Sequence, residues 1–193
     1  ASDVYKRQFL YKDSSDRLIA TTQEPKITLD ELAVLKVADT GRIGAFLDWG
    51  LEKDILLPFK EQTAKVKKGD EVLVALYVDK SGRLCATMKV YEKLRTDSPY
   101  KKDDHVEGII YETSDNFGVF VAVDNCYSAL IPKREAFGRL KVGDRVSARV
   151  VKVREDGKLD LSVREKAFLQ MDEDAALIMK RMEESVSYTH LRA

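Results

Sequence analysis

The sequence predicts a mainly β chain: two tandem five-stranded barrels followed by a C-terminal helical segment. Three observations carry this. Short runs of alternating apolar and polar residues recur along the chain, bounded by turn residues. Several motifs recur at one offset of 74 residues, the distance from Gly44 to Gly118. Near the end the alternation gives way to a helical period.

The chain has 193 residues, enough for one large domain or two small ones. Hydrophobic residues make up 44% and charged residues 34%, an ordinary soluble composition. Lys plus Arg and Asp plus Glu each number 33, so any contact with a polyanion rests on local patches rather than on overall charge. Cys85 and Cys126 lie far apart, show no metal-ligand spacing and fit a reducing compartment, hence a cytoplasmic location. No apolar run reaches membrane-spanning length, and no signal peptide is visible. Residues 1–8 and 186–193 resemble translated adapter scars and are set aside as non-native.

From the N-terminus, two β-rich runs in Phe9–Thr22 flank the polar turn Asp13–Asp16, a hairpin signal. The same pattern returns without gaps in Ala75–Met88, through Leu-Tyr, an Asp, Arg-Leu and Ala-Thr, and more loosely in Arg149–Val163. Around the later hairpins lies the longer repeat. Ile43–Leu47 matches Phe117–Val121, Ile55–Pro58 matches Ala129–Pro132, and Gly69–Val72 matches Gly143–Val146. These are two copies of one domain, residues 31–96 and 103–166, joined by the linker 97–102 (Asp-Ser-Pro-Tyr-Lys-Lys) and preceded by 9–30, the closing hairpin of another copy.

The second copy predicts strands at His105–Thr113, Gly118–Val123, Tyr127–Pro132, Arg145–Val153 and Lys158–Ser162, with a turn of helix within 133–141. Val146, Ala148 and Val150 alternate with Arg145, Ser147 and Arg149, so this strand has one packed and one wet face; Val72, Val74 and Leu76 predict the same for the first copy. Five short strands avoid raw edges by closing, which points to a Greek-key barrel of the oligonucleotide/oligosaccharide-binding (OB) type. Gly118 lets another backbone or a ligand come close, or marks a bend or bulge in the strand, and Phe117 and Phe120 beside it offer a stacking platform. In the tail, Phe168, Met171, Ala175, Ile178 and Met182 fall on one helical face over 167–185, with acids at Asp172–Asp174 and bases at Lys180 and Arg181, as a helix dipole favours.

The strings Asn-Phe-Gly-Val-Phe-Val (116–121), Ala-Leu-Ile-Pro (129–132), Val-Gly-Asp-Arg-Val (142–146) and Asp-Gly-Lys-Leu-Asp-Leu-Ser-Val (156–163) resemble the RNA-binding domain first seen in ribosomal protein S-one. With the Leu-Leu-Pro of the first copy and Arg-Leu-Ile-Ala-Thr-Thr at 17–22, the succession resembles the conserved virulence factor B family, bacterial proteins with a string of S-one domains followed by a winged helix. The resemblance spans about Phe9 to Glu184, and it implies that 167–185 opens such a winged helix. It also implies an RNA site made of the aromatics flanking the strand-two glycine, a strand-three histidine and an Asp/Arg pair at the last hairpin. By position these are Phe117 and Phe120 in the second copy, Phe46 with Asp79 and Arg83 in the first, and Asp13 with Arg17 in the fragment. Ile43 stands where the family has an aromatic, Pro58 and Pro132 where it has the histidine, and in the second copy Lys158 replaces the Arg and Arg154 the Asp.

The expected function is therefore non-enzymatic: a post-transcriptional or virulence-type regulator binding single-stranded RNA, with single-stranded DNA not distinguished from it. Rings stack on bases, while Arg145, Arg149, Lys158 and Arg83 contact phosphates. Charge in the second copy is segregated, with six acids and no Lys or Arg in 103–132 but eleven bases and six acids in 133–166. The alternative is a protein-interaction scaffold on the barrel surfaces, favoured by the zero net charge, Ile43 and the two prolines. Trp49 reads as packing at a barrel rim, with stacking on a base as the alternative. His105 and His190 are isolated, and no phosphate-binding glycine loop, nucleophile elbow or zinc cluster occurs, so no cofactor or metal is expected. Gly41-Arg42-Ile43-Gly44 fits a Gly-x-x-Gly clamp but precedes a strand rather than joining helices.

Overall fold

A computed structural model describes residues 9–12, 17–136 and 140–163. The winged-helix expectation for 167–185 lies outside them, as does the turn 13–16 with Asp13. A hairpin of β1 (Phe9–Lys12) and β2 (Leu18–Thr21) precedes the first barrel, whose strands are β3 (Leu32–Thr40), β4 (Gly44–Asp48), β5 (Ile55–Pro58), β6 (Glu71–Val78) and β7 (Leu84–Thr87). The second comprises β8 (His105–Ser114), β9 (Gly118–Val123), β10 (Tyr127–Pro132), β11 (Arg145–Val153) and β12 (Leu159–Ser162). A 3-10 turn follows the third strand of each, at Phe59–Glu61 and Lys133–Glu135, the latter within the stretch where a turn of helix is expected.

Both units pair in the same order. The second closes into a barrel, β10-β12-β11-β8-β9, through parallel pairing of Ala129 and Leu130 with Leu159 and Asp160. The first runs β5-β4-β3-β6-β7, with β5 and β7 in contact but no ladder between them. Gly44 and Gly118 set the crossing of strands two and three. Each has positive φ, and a Cβ at either would lie 2.2 Å from a carbonyl oxygen of the neighbouring strand, that of Leu57 or Ile131. Only glycine permits that approach.

Each barrel has its own core: Leu35, Leu47, Leu57, Val72, Val74 and Leu76 in the first, Ile110, Val121, Ile131, Val150, Leu159 and Leu161 in the second. Trp49 belongs to the first core. Its indole Nε1 donates to the Lys53 carbonyl at 2.6 Å, and the rings of Phe9 and Tyr11 meet it edge-on at 5.8 and 5.5 Å.

A third core lies between the barrels. Leu73, Ala75, Val90 and Leu94 from the first barrel and the segment after it pack on Ile109, Tyr111 and Ala122 of the second, flanked by Leu32, Val34 and Phe120. The expected wet face of β6 is therefore corrected: Val72 to Leu76 are all buried, because the outward Leu73 and Ala75 serve this interface while the inward residues fill the barrel. Burial of side chains such as Leu73 and Ile109 stabilises by about 1.5–3 kcal/mol apiece. The edges of the interface are polar. Thr63 Oγ1 donates to the Tyr111 carbonyl at 2.9 Å, and Arg145 lies 3.7 Å from Glu71.

The segment 91–96, assigned by the repeat to the first barrel, is bonded to the second. The Arg95 N–H donates to the Cys126 carbonyl at 2.8 Å, and the Ser128 N–H donates to the Arg95 carbonyl at 2.9 Å, so Arg95 lies along β10 as a one-residue strand. The turn between β11 and β12 seats on its end, where a Cβ on Gly157 would lie 1.9 Å from the Thr96 carbonyl oxygen.

Candidate nucleic-acid interface

In each barrel the outer face of strands two, three and five is built alike. In the second, Phe120 on β9 stands opposite Leu130 on β10, which stands opposite Asp160 on β12. Phe117 sits in the turn just before β9, where its carbonyl accepts from the Lys133 N–H at 3.2 Å. The two predicted rings differ in environment. Phe117 is 65% exposed. Phe120 is half-buried, edge-on to Tyr91 at 5.9 Å and tilted against Tyr111 at 6.1 Å, at the margin of the inter-barrel core. The expected stacking platform thus consists of one open ring and one half-buried ring at the margin between the barrels.

The predicted cations are also divided. Lys158 reaches this face: its ammonium donates to the Tyr91 hydroxyl at 3.1 Å and pairs with Asp156 at 3.1 Å, and these contacts hold its pKa above the ordinary lysine value. Arg154, which stands where the family has the Asp, is also here, bound to Asp160 through Nε at 2.8 Å. Arg145 and Arg149 are not beside the rings. Both lie on β11, and β8 separates β11 from β9. The Arg149 side chain is only 16% exposed and donates to Asp103 at 2.8 Å, and Arg145 faces Glu71. Alternation correctly put these two arginines on the outer surface of the strand, but an outer surface that curves around a barrel is not one face.

In the first barrel the equivalent face lines a cleft of about 480 Å³. Phe46, opposite Leu56 on β5, shares it with Ile43, Tyr11, Asp79 and Arg83. The structure therefore brings Phe46, Asp79 and Arg83 together. Asp79 also holds the hairpin turn: its Oδ1 accepts from the Ser81 hydroxyl at 2.6 Å and from the backbone N–H groups of Ser81 and Arg83 at 2.8 and 3.0 Å. Those bonds, the Ser81 hydroxyl foremost, keep its carboxyl below the usual range. Arg83 is exposed, and among the described residues its guanidinium makes no ion pair or side-chain hydrogen bond. Ile43 is 59% exposed. Its position and that of Phe117 thus point outward in both repeats.

Tyr91 carried no repeat signal of its own because none of the motifs shared by the two copies includes it. The one available signal was an aromatic beside the apolar Val90 and Leu94. Among the described residues no cluster of His, Cys, Asp and Glu is placed to hold a metal, and no helix is long and apolar enough to cross a membrane.

Comparison with known proteins agrees with this geometry. Residues 31–89 match the family model of the S1 (S-one) domain, and 91–165 match that of the second domain of the virulence regulatory factor CvfB. The second match begins at Tyr91, the residue at which the chain turns onto the second barrel. The chain is 31% identical to the protein YitL of Bacillus subtilis over 90% of its own length and 62% of that protein. It is 30% identical to conserved virulence factor B of Staphylococcus aureus strain MRSA252, over 88% of its own length and 59% of the relative. The chain thus spans about three fifths of these curated relatives. A multidomain protein with nucleic acid binding domains from Streptococcus pneumoniae superposes with a TM-score of 0.60 at 24% identity, covering 92% of this chain and 66% of that one.

Proposed function

Because the chain belongs to the conserved virulence factor B family, we propose that it is a nucleic-acid-binding regulator whose barrels hold single-stranded RNA on the outer face of strands two, three and five. The observation that carries this is the exposed ring of Phe117. Packing does not account for it, since the ring stands in a turn away from all three cores, and its counterpart Ile43 is presented in the same way. An exposed ring at the head of the strand that carries Phe120 suits a single strand, whose unstacked bases offer π-faces. The nucleic acid binding domains of the Streptococcus pneumoniae protein, which shares the fold, support the reading.

Most of the cations here already have acidic partners, so stacking carries more of the affinity than phosphate contact does. Arg83 beside Phe46 is the main candidate for a phosphate contact in the first barrel. The aliphatic Ile43 at the ring position favours a second reading for that barrel alone, contact with a protein partner.

Titration of a labelled single-stranded RNA, and of the matching DNA, into the full chain at two salt concentrations tests the proposal. Binding to RNA with a shallow but measurable decline in log affinity against log salt is expected, together with about tenfold weaker binding by Phe117→Ala. Salt-independent affinity that Phe117→Ala leaves unchanged would contradict it.

A further inference from the structure

We propose that Tyr91, carried on the segment between the barrels, is a third base-stacking ring of the second barrel's face, held in place by Lys158. This rests on the nucleic-acid reading above and names a residue that the repeat does not supply.

Anchoring the segment does not require this ring. Val90 and Leu94 are buried in the inter-barrel core, and the main chain of Arg95 is bonded to β10 on both sides. Tyr91 lies between these anchors yet remains 45% exposed. Its position is nevertheless defined. Phe120 meets it at an interplanar angle of 90°. The Lys158 ammonium lies 3.1 Å from its hydroxyl oxygen but 5.2 Å from its ring centroid, so the cation sits off the hydroxyl end and not over the ring centre. The turn carrying Lys158 is in turn fixed by the close approach of Gly157 to Thr96.

The consequence is an aromatic row in which Tyr91 and Phe120 form a perpendicular pair and Phe117 stands before the same strand. In a perpendicular pair one ring offers only its edge, so at most one π-face of the pair is covered, whereas a parallel stack covers one face of each ring. Lys158 at the hydroxyl end places positive charge where a phosphate flanking a stacked base would pass. Tyr91 is thereby a binding residue contributed by neither barrel's five strands, and the site exists only when the segment is docked.

The test uses the full chain and a fluorescent single-stranded uridine oligomer of roughly ten nucleotides, within the span of an OB face. Tyr91→Leu keeps apolar packing against Phe120 but removes the π-face, and Tyr91→Phe keeps the ring and loses only the bond to Lys158. The expected result is about a tenfold loss of affinity for Tyr91→Leu and less than about a threefold loss for Tyr91→Phe, with the salt slope of Tyr91→Leu unchanged. In the unaltered chain, an oligomer carrying 5-iodouridine should form a photo-adduct on Tyr91. Full affinity in Tyr91→Leu together with loss in Phe117→Ala would overturn the proposal and leave the nucleic-acid reading standing. Full affinity in both would overturn both. Should Tyr91→Leu fail to fold, the adduct decides: its presence on Tyr91 supports the role, and its absence from Tyr91 while another residue is labelled overturns it.

Discussion

The two barrels share a repeat, a strand order and a glycine at the same crossing, yet they spend the same outer surface differently. On the first, Leu32 stands opposite Ala75 and Val34 opposite Leu73, an apolar patch that docks on the second barrel. On the second, the corresponding pairs are His105 with Arg149 and Glu107 with Ser147. One copy has become a foundation and the other a free polar surface. The ring-bearing face diverges in the opposite sense, with Ile43 in the first copy where Phe117 stands in the second. A duplicated fold can thus divide structural and binding roles by changing a few outward side chains while the inward ones stay apolar.

The largest effect should come from the docking patch. Leu73→Ala removes a fully buried side chain and is expected to destabilise the chain by about 2–5 kcal/mol, whereas Ser147→Ala at the matching position should change stability by less than about 0.5 kcal/mol. Urea denaturation followed separately by Trp49 fluorescence, which reports on the first barrel, and by far-ultraviolet dichroism should show the two probes parting for Leu73→Ala only. Equal effects at the two positions would break the comparison.

The binding faces come next. Phe117→Ala should weaken single-stranded RNA binding about tenfold, within the range of one lost base stack, and Ile43→Ala less than about threefold. Fluorescence anisotropy with a labelled oligomer reads both. Among the cations, Arg83→Ala should lower the slope of log affinity against log salt by about 1, as expected when one phosphate contact is lost. Arg149→Ala should leave that slope alone, since its charge is already engaged with Asp103.

How much of this was legible in the sequence follows from which interactions are local. Strand bounds in the second barrel were readable, and Gly118–Val123, Tyr127–Pro132 and Arg145–Val153 are as alternation and turn residues predicted. The glycine crossings were readable in part, since a glycine at a strand start admits a close backbone, a ligand or a bulge, and only the fold selects the first. The docking face was readable only in part: Val72 to Leu76 are apolar at both parities, which a strand with a wet face does not need, but nothing in the chain says what covers the second parity. The charge arrangement was not readable. Clustering of eleven bases within 133–166 suggested one basic face, yet Arg145 and Arg149 on β11 lie around the wall from Lys158, and ion pairs such as Arg149 with Asp103 join residues far apart in sequence. Tyr91 was not readable because it falls after the last motif that the two copies share, Ala75–Met88.

A smaller effect distinguishes the barrels at alkaline pH. Tyr77 on β6 has a buried hydroxyl without a hydrogen-bond partner, and burial pushes its pKa from 10.0 up to about 12. The corresponding position of the second barrel is Val151, which does not titrate. A raised folded-state pKa favours the protonated form, so its contribution to stability is complete below about pH 10 and is lost as pH rises towards 12. Denaturation midpoints between those pH values should fall less steeply in Tyr77→Phe than in the unaltered chain.

The most direct test of where the strand lies is an amide chemical-shift titration of the isotopically labelled chain with a single-stranded uridine oligomer. The largest shifts are predicted at Phe117, Leu130, Lys133 and Tyr91, along one edge of the second barrel. Shifts confined to β11 around Arg145 and Arg149, with Phe117 unmoved, would contradict the assignment of the ring-bearing face.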